Sequence, residues 1–525
     1  MLPHSTSTLQ DELQQVLELL KETQEDLTPC GSSALAVVLR IFSLLSPPPP
    51  SRPSPLEAQT AATLAAALLK LSDEKLNSYP YKDVPRCWRR LYTDATLLEG
   101  VARLFEGEAG PGERDRDRAS LLETVRDCDL AIIIAGAPGH ARETFVFRLI
   151  ALAQARLASL SPSTTTSPSS TAGDPRPTKR PRLPSPPRSR PLPPPYIARP
   201  VTTLPFLPSF LLPSTVGTHA QPFIVRNACA DWPAISHPAS RWRSPEYLRR
   251  VGGEGRVVPV EVGGDYTREG WGQGIVGWGE FLDSTFSSFS RASSTIASDP
   301  DPDPDSDPDP DDPRPMYYLA QHSLFAQFPA LKADLFVPDL VYSAPADNGV
   351  GTDEGYVMNA WLGPQGTVSP AHTDPWWNCY TQVVGSKWIW VAPPECGPWM
   401  AAFGSSSPSE SDASTCGASC DRSDDTKAAR EGRREEEKEE EDGGAAPAQG
   451  YMTNTSSLDV TIAPLGPAAD PDSLATAPYP PSFLSRVEPL ARQVVLEEGD
   501  VLVMPPGWWH AMKSLETSFS VSIWF

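Results

Sequence analysis

Leu9, Leu13, Val16, Leu17 and Leu20 recur at spacings of three and four, which puts them on one face of a helix. The same spacing runs through Ala61 to Leu71, Trp88 to Leu104 and Glu143 to Leu157. Residues 1–156 are therefore expected to form an α-helical amino-terminal domain, interrupted but not ended by the prolines between Pro47 and Pro55. From about residue 197 the pattern changes to short apolar runs separated by turn residues: Pro222 to Val225, Val257 to Val262, Val357 to Trp361 and Gln493 to Val503. Cys379 to Val384 and Lys387 to Val391 read as two strands joined at Gly385-Ser386, the length of a two-residue hairpin. The pattern predicts a mainly β domain over residues 197–525 behind the helical one.

Composition marks what lies between these units. Proline supplies 60 of 525 residues, about twice the usual share, so much of the chain is expected to be linker. A Ser/Thr/Pro stretch over 157–196 reads as a disordered linker, and within it Lys179-Arg180-Pro181-Arg182, with Arg188 and Arg190, has the look of a nuclear import signal. The formal charge of −22 is concentrated rather than spread. Asp299 to Asp312 is an Asp-Pro repeat with eight aspartates and no base, and Gly397 to Gly450 carries thirteen acids against six bases. Disordered insertions are accordingly expected at 286–314 and 397–450. Eight scattered cysteines follow no signal peptide, and Cys416 and Cys420 have no histidine nearby, so reduced thiols are expected rather than a zinc site. The Ala34 to Leu45 run is too short for a membrane span and carries Arg40, which points to a soluble, intracellular protein. Direct nucleic-acid binding is not expected, because no aromatics interleave with the bases.

His372-Thr373-Asp374 is the first piece of chemistry. On an extended strand alternate side chains share a face, so His372 and Asp374 can reach one ion, and His510 at the end of Gly499 to His510 can complete the set. Two histidines and one carboxylate leave open positions, which suits Fe(II) that must also take a cosubstrate and O₂. Lys387 falls on the same strand face as Ile389 and Val391. A lysine turned inward is costly unless it meets an anion, and a 2-oxoglutarate carboxylate is a natural one.

Ordered segments around these residues resemble a known family. Asn359 to Pro364, Ser369-Pro370-Ala371-His372-Thr373-Asp374-Pro375, Asn378, Gln382 to Lys387 and Phe519 to Trp524 are similar to the JmjC-domain oxygenases, and within them to the lysine-specific demethylase 8 group, regarded as protein arginyl hydroxylases. Pro222 to Val225, Asp231-Trp232-Pro233, Trp242, Val258 to Gly263, Tyr266-Thr267 and Tyr318 to His322 agree. The resemblance implies a double-stranded β-helix, the cupin-like jelly roll, with His372, Asp374 and His510 as iron ligands. It implies Tyr318, Ser369, Asn378 and Lys387 as 2-oxoglutarate contacts, with Trp524 closing the pocket beside them. Trp376 and Trp377 depart from the family pattern, and a reshaped entrance is expected there.

The function expected from the resemblance is an Fe(II)- and 2-oxoglutarate-dependent dioxygenase that uses O₂ to hydroxylate a protein side chain, arginine first. Glu261 is expected to hold the guanidinium, and Trp271 to offer it a flat face. The alternatives are a histone N-methyl-lysine demethylase with the same oxidant and a non-catalytic cupin-like binding protein. The expected partner is a protein or peptide with a basic side chain, a histone or another nuclear or ribosomal protein. The expected location is the nucleus, with the cytoplasm also open.

Overall fold

The structure, a computed structural model, describes residues 9–21, 24–47, 52–80, 83–106, 114–160, 191–196, 199–204, 221–263, 270–286, 315–343, 350–404, 452–462 and 479–525. The Asp-Pro repeat, the acidic run with Cys416 and Cys420, the basic cluster at 179–190 and Tyr266-Thr267 lie outside the described residues.

The amino-terminal helices are α1 (Leu9–Lys21), α2 (Ser32–Leu45), α3 (Pro55–Leu76), α4 (Arg86–Glu106), α5 (Arg114–Leu130) and α6 (Arg142–Leu160). Leu13, Val16, Leu17 and Leu20 of α1 are all buried, as their spacing requires. Ser54 caps α3 reciprocally: its hydroxyl accepts from the Glu57 N–H while the Glu57 carboxylate accepts from the Ser54 N–H at 2.8 Å. Charge inside the bundle is paired, with Asp94 accepting from Arg90 at 2.9 Å and from Arg142 at 2.8 Å. After α5 the chain widens into a π-helical turn, Ala131–Ala135, which ends at Gly136 in the left-handed region (φ 72°). None of the described helices is long and apolar enough to cross a membrane.

The β domain has fourteen strands among the described residues: β1 (Arg199–Pro200), β2 (Thr202–Leu204), β3 (Phe223–Val225), β4 (Val257–Val262), β5 (Gly272–Gly277), β6 (Tyr317–His322), β7 (Val357–Gly363), β8 (Val368–Thr373), β9 (Asn378–Val384), β10 (Lys387–Ala392), β11 (Arg492–Leu496), β12 (Val501–Met504), β13 (Trp509–Ser514) and β14 (Ser518–Trp524). They make a five-stranded sheet in the order β1-β11-β10-β13-β8 and a nine-stranded sheet in the order β2-β3-β12-β9-β14-β7-β6-β4-β5. The two sheets face each other as a cupin-like jelly roll, the expected fold. Alternation sorts each strand: Trp388 and Trp390 of β10 pack outward with Phe483 and Trp509. Ile389 and Val391 turn inward to meet Leu502, Met504 and Met512, forming the apolar floor of the barrel.

The expected hairpin at Gly385-Ser386 is not one. Strand β9 pairs with β12 and β14, whereas β10 pairs with β11 and β13, so the short connection carries the chain from one sheet to the other. Both strands are buried along their whole length, so neither the alternation nor the loop length distinguishes a hairpin from a crossing. The run Gln493 to Val503 likewise splits into β11 and β12, in opposite sheets, at the turn before Asp500.

Four expected boundaries shift, the first where α6 runs on to Leu160 in place of the linker expected from 157. Residues 397–404 are part of the domain, with Met400 fully buried and the Phe403 N–H donating to the Thr455 carbonyl at 2.9 Å. Phe286 closes a helix, Trp278–Phe286, and is buried in the core. At the other end of the linker, Leu192 donates to the Leu515 carbonyl at 2.7 Å and Tyr196 packs edge-on against Trp388, so 191–196 lie along the barrel.

The two halves meet at the end of α5. Asp129, with 0% exposed, takes two bonds of 2.9 Å from Arg256 Nε and one of 2.8 Å from the Val257 N–H. Arg256 lies 4.2 Å from the Phe328 ring centre and donates to the Gln327 carbonyl, while Gln154 of α6 donates to the carbonyls of Gly252 and Glu254. Strand β4 therefore starts on a carboxylate supplied by the helical domain.

Candidate metal centre

The facing of the two sheets decides the site. Strands β8 and β13 pair with His372 opposite His510, so both imidazoles leave the five-stranded sheet on the same side, with ring centres 4.2 Å apart. Asp374, just past β8, brings its carboxylate within 3.9 Å of His372 Nε2 and 3.4 Å of His510 Nε2. One ligand atom from each of the three lies within 4.8 Å of the others, a grouping able to hold a metal ion.

Backbone carbonyls orient both rings. His372 Nδ1 lies 2.8 Å from the Pro370 carbonyl and His510 Nδ1 lies 3.0 Å from the Trp508 carbonyl. A carbonyl can only accept, so each Nδ1 carries the proton and each Nε2 is left to face Asp374. That is how metal-ligating histidines are usually oriented. Burial, then the neighbouring His510, hold His372 down at about 4, so its Nε2 lone pair is present at neutral pH. Burial alone would lower His510, but the Asp374 carboxylate beside it more than offsets this and raises it. Burial likewise pushes Asp374 up, and is outweighed by the hydrogen bond and charge of His510. A proton on His510 and a metal ion would thus compete for one lone pair.

Close to the triad, a group of buried polar side chains has the character of an anion site. Lys387 is 1% exposed and turns inward with Ile389 and Val391, as expected. Its ammonium donates to the Tyr380 hydroxyl at 3.0 Å and to the Tyr318 hydroxyl at 3.5 Å, and no carboxylate pairs with it among the described residues. Burial lowers its pKa to about 7. Tyr318 also reaches Ser369 Oγ at 3.5 Å, and Gly363 makes room for its ring, since an added Cβ would lie 2.6 Å from Tyr318 Cδ2. Asn378 Oδ1 and Trp524 Nε1 are buried without a hydrogen-bond partner, and the two residues pair directly across β9 and β14. A guest that accepts from Trp524 and Lys387 would relieve two buried donors at once.

The structure gathers His372, Asp374, His510, Tyr318, Ser369, Asn378, Lys387 and Trp524 around the mouth of one barrel. Glu261 stands directly across from Tyr318 in the β4–β6 pairing, so it extends the same sheet face outward. Trp271 immediately precedes β5, two residues before Gln273, which pairs with Glu261. Of the two tryptophans expected to reshape the entrance, Trp377 packs instead with the hydrophobic core. Trp377 is buried, with its ring centre 6.3 Å from that of Phe525, and Trp376 is half-buried. Tyr380 escaped the sequence reading, although its signal was present: it is two positions from Asn378, on the same face of β9. Asn454 also escaped it. Its side chain and carbonyl bracket Thr373 at 2.9 and 3.0 Å, tying the triad strand to a segment eighty residues away that no local pattern links to it.

Comparison with known proteins gives a consistent picture. The model of the cupin-like domain family matches residues 211–525. The chain is 31% identical over 306 residues to Jumonji C domain-containing protein 5 of Drosophila melanogaster, covering 58% of this chain and 54% of that protein. It is 28% identical over 474 residues to lysine-specific demethylase 8 of Danio rerio, covering 90% of this chain and 89% of the relative. To lysine-specific demethylase JMJ30 of Arabidopsis thaliana it is 30% identical over 320 residues, 61% of this chain and 52% of that protein. The match thus spans about half the length of the fly and plant relatives.

Proposed function

Because the chain belongs to the cupin-like family, in its JmjC branch, we propose that it is an Fe(II)- and 2-oxoglutarate-dependent oxygenase acting on a basic side chain of a protein. The observation that carries this reading is the pairing of two sites in one barrel mouth. Two Nε2 atoms and a carboxylate converge on one point, and an uncompensated buried ammonium lies beside them. His372, Asp374 and His510 would hold the iron. Lys387, Tyr318, Ser369 and Asn378 would hold the cosubstrate, with Tyr380 steering the lysine and Trp524 donating from the side. Iron, 2-oxoglutarate and O₂ together supply the oxidising power, and the protein supplies position and exclusion of water.

The chain's own groups divide the work. The Pro370 and Trp508 carbonyls fix the imidazoles before any metal arrives, so little reorganisation is needed on binding. Lys387 gives a cosubstrate carboxylate a charge-assisted contact in a site from which water is largely excluded, where that contact is strongest. The apolar floor under Lys387 keeps the oxidation away from bulk water.

The relatives' names favour N-methyl-lysine demethylation as the reaction, in which an N-methyl group is oxidised and leaves as formaldehyde. Arginine hydroxylation is the second reading, favoured by Glu261, whose carboxylate extends the Tyr318 face and suits a guanidinium in bidentate geometry. The test is succinate formation by the purified chain with Fe(II), 2-oxoglutarate, O₂ and pooled methyl-lysine and arginine peptides, followed by mass analysis. Formaldehyde release with methyl loss supports demethylation, and a retained oxygen on arginine supports hydroxylation. Succinate formation undiminished in His372→Ala would overturn the site assignment.

A further inference from the structure

We propose that the helical domain forms part of the substrate-binding surface, supplying Ile133 as the outer wall of a groove that selects an aliphatic residue beside the basic side chain to be oxidised. The inference deepens the reading above and rests on it. The juxtaposition is given by register. Strands β4 and β5 pair Glu261 with Gln273 and Pro259 with Ile275, while β4 and β6 pair Glu261 with Tyr318. Cross-strand partners share a face, so Pro259, Glu261, Gln273, Ile275 and Tyr318 form one continuous surface. The opposite face carries Val258 and Val260, both buried in the core. The groove on this surface has about 340 Å³ of space, and its lining includes Ile133, Pro259, Glu261, Gln273, Ile275 and Ala320.

Ile133 is the lining residue that does not come from the β domain. It sits in the π-helical turn one turn past Asp129, whose buried bonds to Arg256 and the Val257 N–H fix the end of α5 at the start of β4. An extra residue in a helical turn re-aims the side chains that follow, and such turns are frequent at functional sites. The wall it faces is apolar, and Ile275 remains 39% exposed on β5, the last strand of the nine-stranded sheet. One end of the groove carries the Glu261 carboxylate and adjoins Tyr318 through the β4–β6 pairing. Beyond Glu261 and its neighbour Gln273, the lining is mostly apolar, with Ile133, Pro259, Ile275 and Ala320. An extended polypeptide with a cationic residue at Glu261 and an aliphatic residue directly beside it matches both ends, and β5, whose outer edge has no strand partner among the described residues, gives its backbone a strand to lie along.

The experiment measures binding, so it does not depend on turnover. Two fluorescent peptide pools, each centred on arginine or methyl-lysine, carry leucine or serine at the flanking positions. Anisotropy is read with the full-length chain, its Ile133→Asp variant and its Ile275→Ser variant. The wild-type chain is expected to prefer the leucine pool, and each variant to lose that preference by on the order of tenfold while binding the serine pool unchanged. Ile275→Ser lies on an exposed edge, so it keeps the groove testable if Ile133→Asp misfolds. In that case Ile133→Ser, confirmed folded by its thermal transition, tests the helical wall. Absence of a leucine preference in the wild-type chain would overturn the groove. Loss of preference in the Ile275 variant alone, with a folded Ile133 variant behaving as wild type, would remove the helical domain from it. If leucine peptides bind as expected but no succinate forms with Fe(II), 2-oxoglutarate and O₂, the groove stands and the oxygenase reading fails.

Discussion

Lys387 shows how one residue can be held in readiness for a ligand. Its burial against two hydroxyls brings its pKa from the ordinary 10.5 to about 7, so the folded chain binds fewer protons than the unfolded chain between those values. Stability from this group therefore rises with pH from about 7 to 10.5, and the penalty for burying the charge is fully present below 7. A bound carboxylate would reverse the balance by favouring the ammonium. Binding of 2-oxoglutarate at a pH between 8 and 9 is expected to take up close to one proton, measured by calorimetry in buffers of different ionisation enthalpy. Lys387→Met should abolish the uptake and weaken binding by roughly 10- to 100-fold, the size of a lost charge-assisted bond. Proton uptake that persists in Lys387→Met would assign the titration elsewhere.

Among the elements, the β9–β10 connection is the most constrained. Gly385 has φ 70°, accepts no Cβ without overlap with the Thr517 carbonyl oxygen, and donates its N–H to the Glu498 carboxylate at 3.0 Å. It turns the chain from one sheet to the other and sets the depth at which Lys387 enters the barrel. Gly385→Ala should destabilise the chain by roughly 2–4 kcal/mol, through left-handed strain and a backbone overlap that cannot relax cheaply. Its melting temperature should fall accordingly, and cosubstrate affinity should fall with it. A change within a few tenths of a kcal/mol would mean that the crossing tolerates an ordinary residue.

For the whole molecule, the helical and β domains share a buried ion pair. Among the described residues, Asp129→Ala leaves the buried Arg256 with the Gln327 carbonyl as its remaining acceptor and frees the Val257 N–H. The expected loss is about 3–5 kcal/mol, the usual consequence of stripping one partner from a buried pair. Chemical denaturation with probes in both domains checks this, and an unchanged midpoint would show that the domains are held by other contacts. The acidic segment should behave in the opposite way. Its flanks are already joined, with Ala402 bridged to Ser456 and Phe403 bonded to Thr455. Replacing Ser405 to Gly444 by a short Gly/Ser loop should therefore leave the thermal transition and Fe(II) affinity nearly unchanged, because closure entropy varies slowly with length. A collapsed transition or lost metal binding would make the segment part of the core.

Periodicity alone determined the helical first domain and the strand-rich second, because amphipathic spacing reflects burial of one face at a time. Period-two spacing also placed His372 beside Asp374, and Lys387 beside Ile389, on shared faces, since alternation is a local property of the strand. What sequence could not decide was which strand lies against which. Strands β9 and β10 are buried on both faces, so their pattern carries no record of the sheet they join. Only the closed barrel decided that β9 and β10 part company, that His510 comes opposite His372, that Asn454 braces Thr373, and that Asp129 anchors β4. Each depends on pairing between segments far apart in the chain, where the energy comes from burying complementary surfaces and not from any local preference.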